Sequence, residues 1–140
     1  MFRLLFERST DAIFLFEPRQ QVFVDCNQAA VAMMGAANKQ QILMAHPAEL
    51  SPEFQPDGQT SRDKTPKVVE IALAHGSHRY EWIGRRFDGT EFPVEVLTIP
   101  IESGEHPLIA TICRDITERK AAEQALRSSE TRFRMFFESS

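Results

Sequence analysis

Cysteine is scarce in this sequence. Cys26 and Cys113 are the two examples in 140 residues, and they lie far apart. That spacing excludes a disulfide-dense scaffold and a paired-cysteine zinc site. Both are expected as free, buried thiols in a reducing compartment. Histidine is nearly as rare, with four scattered residues, so no metal-ligand set is expected. Long apolar runs are missing as well: none approaches the roughly 20 residues that span a bilayer. The opening Met1–Arg8 (MFRLLFER) lacks the apolar core and small-residue cleavage site of a signal peptide. The segment is therefore expected to be cytoplasmic, without direct membrane contact, which leaves room for a membrane anchor elsewhere in a longer parent protein.

A basic excess is also absent. Lys and Arg number 16 against 20 Asp and Glu, for a net charge of −4, with the signs interspersed. That is no electrostatic footprint for nucleic acid. The pair Arg85-Arg86 is read as a solvated strand edge. Gly-x-Ser-x-Gly, Gly-Lys-Ser/Thr and His-Glu-x-x-His do not occur. No catalytic constellation is found, and the segment is read as non-enzymatic. A hydrophobic content of 42% and a charged content of 26% suit a globular domain. The length suits one core and a short extension.

What is present begins with a repeat at the two ends. Phe2–Ser9 (FRLLFERS) returns as Phe133–Ser140 (FRMFFESS), 131 positions later (133 − 2). The shared pattern F-R-x-x-F-E-x-S reads either as the opening of a second, tandem unit or as two similar amphipathic helix starts. Between them, Ala12–Phe16 reads as a buried strand and Gln21–Cys26 as its hairpin partner. Asn27 stands where an N-cap belongs, and Gly35 where that helix ends. Asn38 caps a second short helix, Lys39 to Met44. Pro47, Pro52 and Pro56 restrict residues 46–58 to loop with at most one helical turn. Thr65-Pro66 reads as the start of a longer helix that ends at Gly76 and places Val68, Ala72 and His75 on one face with Ile71.

Three strands follow. Arg79–Arg86 puts Tyr80, Trp82 and Gly84 on one face, and Asp88-Gly89 marks a tight hairpin. On Glu91–Ile101, Phe92, Val94 and Val96 face one way and Leu97 and Ile99 the other. The last strand covers Pro107–Arg114 after a turn at 102–105. Both sheet faces thus carry apolar residues, and the outer one wants cover from the N-terminal helix or a second protomer. From Asp115 onward the composition is helical. Asp115-Ile116-Thr117-Glu118 has the form of a capping box. Arg119, Ala122, Leu126, Ser129, Phe133 and Phe136 alternate spacings of three and four, which fits a solvated linker helix or a two-stranded coiled coil.

This order of elements resembles the PAS family with its C-terminal PAC segment. The residues that carry the likeness are Phe6–Ile13 (FERSTDAI), Cys26–Ala30 (CNQAA), Leu50–Gly58 (LSPEFQPDG), Tyr80-Glu81-Trp82, Arg85–Gly89 (RRFDG) and Arg114–Lys120 (RDITERK). The resemblance covers residues 2 to 120. It implies an α+β fold: a five-stranded antiparallel sheet with a helical cradle on one face, an N-terminal helix and a C-terminal linker helix. The partition expected is 1–10 as flanking helix, 11–116 as PAS/PAC sensor domain and 117–140 as signalling linker running into a second repeat. The family also implies a sensory module of a multidomain bacterial protein, a homodimer, and a downstream histidine kinase, diguanylate cyclase or phosphodiesterase, or chemoreceptor.

A pocket is expected among Phe14, Phe16, Asn27, Met33, Leu73, His75, Tyr80 and Trp82. A small organic ligand would sit there. Non-covalent flavin stays open, but the cysteine motif of the light-sensing branch is absent because Cys26 ends a strand. Haem would need His75 as axial ligand, and a helix-end histidine has a plainer role in facing the helix dipole. Asp115, Ile116 and Thr117 are assigned to relay the signal into the exit helix. Ile83, Leu97 and Ile99, with Leu4 and Leu5, are assigned to the dimer or outer sheet face. The alternative to a ligand sensor is a module with a side-chain-filled core that only dimerises and relays motion.

Overall fold

The computed structural model describes residues 2–102, 104 and 107–138, with Phe2 and Glu138 as backbone only. The elements run α1 (Phe2–Arg8), β1 (Ala12–Glu17), β2 (Val22–Cys26), α2 (Gln28–Met34), α3 (Lys39–Met44), a 3-10 turn (Pro47–Leu50), α4 (Ser61–His75), β3 (His78–Arg85), β4 (Glu91–Ile101), β5 (Leu108–Asp115) and α5 (Thr117–Glu138). The strands form one antiparallel sheet in the order β2-β1-β5-β4-β3. Ser103 and Glu105 of the expected turn at 102–105, and Ser139 and Ser140 at the end of the 117–140 linker, lie outside the described residues.

Strand alternation decides which side chains meet the helices. The register pairs Tyr80 with Val96, Trp82 with Val94 and Gly84 with Phe92. Val96 in turn pairs with Cys113, and Cys113 with Ala12. This inner face packs with Cys26, Ala30, Met34, Ile42 and Leu50 from β2 and the helical layer into one buried core. Each large side chain fully removed from water there contributes about 1.5–3 kcal/mol. Gly84 serves this packing directly: a Cβ at its position would stand 3.2 Å from the Phe92 ring.

The helix caps follow local chemistry. The Asn27 side chain accepts the Ala30 N–H, and Gly35 closes α2 at φ 65°. Asn38 accepts the Gln41 N–H to open α3. The 3-10 turn takes up the one helical turn allowed by the proline-rich loop. α4 departs from expectation. It starts at Ser61, capped by the Thr60 hydroxyl on Asp63 N–H, so Pro66 lies inside it and not at its first turn. Pro66 removes the donor for the Arg62 carbonyl, at a part of the helix where both residues are exposed to solvent. The start is pinned from outside: the buried Gln55 side chain donates to Ser61 Oγ (2.8 Å) and exchanges bonds with both the N–H and C=O of Ile83 (2.8 and 3.1 Å).

Leu4 and Leu5 are 53% and 69% exposed on α1, which packs against α2 and so does not cover the sheet. The outer face carries half-buried Ile83, Leu97 and Ile99. α5 covers one corner of it. Ile116 N–H donates to the Pro93 carbonyl (3.1 Å), and Arg119 pairs with Glu95 (3.2 Å). Beyond that first turn the helix stands in solvent, with every side chain from Ala121 to Phe137 exposed except Ser128.

Candidate functional site

A cavity of about 150 Å³ lies between the inner sheet face and the helical layer. Phe14, Phe16, Tyr80 and Trp82 line it from the strands, Met33 from α2, and Val68 and Val69 from α4. Five of the eight residues assigned from sequence are therefore brought together: Phe14, Phe16, Met33, Tyr80 and Trp82. Three are not. Asn27 is fully buried elsewhere, with its whole polar capacity spent on backbone: Oδ1 accepts Ile13 and Ala30 N–H (both 3.0 Å), and Nδ2 donates to the Phe6 and Asp11 carbonyls (2.9 and 3.0 Å). Leu73 is 52% exposed because it lies on the flank away from the Val68–Ala72 face, and His75 is exposed although it shares that face, because it is the last residue of α4.

The polar end of the cavity was not read from sequence. Tyr80 Oη and Thr98 Oγ1 lie 3.0 Å apart, and Thr111 pairs with Thr98 across β4–β5. The signal was available: Thr98 shares the parity of Phe92, Val94 and Val96 on one strand. Burial pushes the Tyr80 hydroxyl up to about 12, so it stays protonated. Burial likewise pushes the Cys113 thiol up to about 12 and Cys26 to about 11, which leaves both neutral and unreactive. Trp82 Nε1 donates to Ser51 Oγ (3.0 Å).

Among the described residues no histidine lines this cavity, so His75, the axial ligand expected from sequence, is not placed to hold a haem there. Its volume is below the roughly 300–1,000 Å³ of sites for drug-sized ligands, which also argues against a flavin ring system. Among the described residues, no three His, Cys, Asp or Glu side chains gather as a metal site.

The second part of the site is the junction of β5 with α5. Asp115 Oδ1 accepts Thr117 N–H (2.9 Å) and bonds the Thr117 hydroxyl. Ile116 is 3% exposed, and its carbonyl takes the first helical bond, from Lys120. Asp115 therefore precedes the cap position, and its partner is Thr117, not the Glu118 of a capping box. Asp115 Oδ2 accepts from Arg86 (2.9 Å). Arg86 is no solvated edge residue: its guanidinium stacks 3.9 Å from the Phe92 ring centroid, and its Nε donates to the Met33 carbonyl (3.0 Å). Met33 and Phe92 both line the cavity, so one side chain touches its wall twice and the start of α5 once.

Comparison with known proteins agrees with this architecture. The PAS domain profile matches residues 10–118. The chain belongs to the PAS domain family. A methyl sulfide methyltransferase-associated sensor of Methanosarcina acetivorans is 32% identical over 131 residues, 94% of this chain and 12% of that protein. The chain thus spans about an eighth of that relative's length. The solved PAS domain of a Colwellia psychrerythraea protein superposes with a TM-score of 0.71 at 22% identity, covering 84% of this chain and 95% of that one. The PAS domain of a LuxR-family transcriptional regulator from Burkholderia thailandensis, solved in complex with ethanol, gives 0.63 at 20% identity, covering 83% and 97%. The PAS fold, a five-stranded antiparallel sheet with helices, is shared with both, and the chain is a sensor domain of the kind found in signalling proteins. No helix among the described residues is long and apolar enough to cross a membrane.

Proposed function

We propose that this PAS domain senses a small molecule in the cavity and passes its occupancy to α5. The observation that carries the proposal is Arg86, which joins the Met33 carbonyl and the Phe92 ring to Asp115. A guest that displaces Met33 or Phe92 shifts Arg86, and with it the geometry of Asp115, Ile116 and Thr117 at the helix start. Occupancy then biases two arrangements of α5 through differential contacts. The PAS domain solved with ethanol supports a small-molecule reading, and the Methanosarcina sensor supports a sensory role. The relay-only alternative needs a core filled by its own side chains, and a cavity of about 150 Å³ weighs against it.

The domain spans residues 11–116 in this reading, with 1–10 as a flanking helix and 117–140 as a linker that enters a second repeat. It works as a homodimer through Ile83, Leu97 and Ile99 of the outer face with Leu4 and Leu5, and α5 pairs as a coiled coil. The effector is a histidine kinase, a cyclic-di-GMP enzyme or a chemoreceptor module elsewhere in the parent protein. The test is Asp115→Ala in the full-length protein. Output should lose its response to stimulus, while stability falls by about 1 kcal/mol or less, as for a partly exposed ion pair. Unchanged regulation with an intact fold would refute the relay.

A further inference from the structure

We infer that the ligand of this cavity, if the sensing reading above holds, is an uncharged and largely apolar molecule of about benzene's size that carries one hydrogen-bonding group, which it places against the Tyr80–Thr98 hydroxyl pair. Size is the first argument. A cavity of about 150 Å³ with apolar walls holds a benzene-sized guest. Charge is the second. Among the described residues, no Asp, Glu, Lys, Arg or His lines the cavity. An ionic guest would shed its hydration there and touch no free counter-charge, since the nearest cations, Arg86 and Lys64, stand over the Phe92 and Trp82 rings and are paired with Asp115 and Asp57.

Hydrogen-bond accounting supplies the third argument. The Trp82 Nε1–H is spent on Ser51, and the Thr65 hydroxyl donates to the Ser61 carbonyl (2.7 Å). Tyr80 and Thr98 bring two hydroxyl protons to one mutual bond of 3.0 Å. One proton and several lone pairs therefore remain for a guest. The pair is deeply placed, since Thr98 is 1% exposed, and Thr111 stands beside it on the next strand. Hydroxyl groups from β3, β4 and β5 thus converge at one end of a mostly apolar chamber whose other lining hydroxyls are Ser51, bonded to Trp82, and Thr65, bonded to Ser61. An alcohol, phenol or ketone group of a neutral guest finds there both a donor and acceptors.

Phenol, benzene and benzoate make a matched set of probes: neutral with a hydroxyl, neutral without one, and anionic. Each is titrated into the ¹⁵N-labelled chain while backbone amide signals are followed. Phenol should shift Thr98, Thr111 and Cys113, and should bind about tenfold tighter than benzene for one added hydrogen bond. Benzoate should bind at least ~100-fold more weakly than phenol. The double variant Tyr80→Phe/Thr98→Val, near-isosteric at both positions, should erase the preference for phenol and leave benzene affinity within about twofold, whereas either single variant leaves one hydroxyl for the guest. Benzoate binding as tightly as phenol, or no response to either neutral probe, would overturn the inference. Thr117–Lys120 report the sensing step separately. Phenol bound at the strands with those signals unmoved would refute the relay and leave the ligand class standing. Movement there with benzoate but not with phenol would do the reverse.

Discussion

Phe6 and Phe137 hold equivalent places in the F-R-x-x-F-E-x-S pattern, yet Phe6 is 6% exposed and Phe137 is 59% exposed. Both lie on helices, so helix formation does not separate them. What separates them is a seat. The Phe6 carbonyl accepts from Asn27, Lys39 stands 6.0 Å above the Phe6 ring, and the same ammonium pairs with Glu7 (2.7 Å) and Asp25 (3.1 Å). Phe137 instead meets Phe133 and Phe136 on its own helix, at 4.6 and 5.5 Å between ring centroids. A short amphipathic helix is marginal alone and takes its stability from the surface it docks on. The motif supplies the apolar face, and the PAS cradle supplies the seat.

Removing the seat's centre should have the largest effect. Asn27→Ala strands the buried Ala30 and part-buried Ile13 N–H groups and the Phe6 and Asp11 carbonyls, and at about 1 kcal/mol per bond should cost about 4 kcal/mol in urea unfolding. It should also release α1, seen as faster amide exchange at residues 3–8. A loss under about 1 kcal/mol would mean that α1 is held by something else. Lys39→Gln should cost less, about 1 kcal/mol, because the pair with Glu7 is partly exposed. Its pH dependence has a definite sign. The Glu7 carboxylate, helped by Asp25 and opposed by desolvation, raises Lys39 above its ordinary value of 10.5. The bound proton stabilises the fold, so the contribution is complete below that value and disappears as pH rises through the higher folded one. The difference between Lys39→Gln and the parent chain should therefore be flat near neutral pH and close in strongly alkaline solution.

The seat also marks the boundary of what sequence reading reached. Asn27 was legible as a cap, since Asn before an apolar helical run has a local meaning. Its bonds to Phe6 and Asp11 were not, because they join residues that only the folded chain brings together. Strand parity found Tyr80 and Trp82 in the cavity wall, and applied once more it would have found Thr98. Apolar character misled at Leu73, which lies on the exposed flank of α4, and periodicity misled at His75, which shares the inner face but sits at the helix end beyond the sheet's cover. Pro66 misled for a related reason. Its preference for a first turn is local, whereas the start at Ser61 is fixed by Gln55 reaching in from the loop and from Ile83. Arg86 was legible as part of the Arg85–Gly89 motif but not in its role; its place over Phe92 depends on a hairpin and a helix end meeting in space.

The smallest expected effect sharpens the contrast most. Phe137→Ala in this chain removes an exposed ring and should change unfolding free energy by less than about 0.5 kcal/mol. If residues 133–140 open a second PAS unit, the same substitution in the full-length protein removes the counterpart of Phe6 from a seat of its own. It should then cost about 3 kcal/mol in that unit, as for a buried Phe cut back to Ala. Two unfolding transitions followed separately would assign the loss to the second unit. Equal and negligible effects in both settings would mean that the repeated pattern marks only a helix surface, and that α5 ends in solvent or against another helix instead of entering a second cradle.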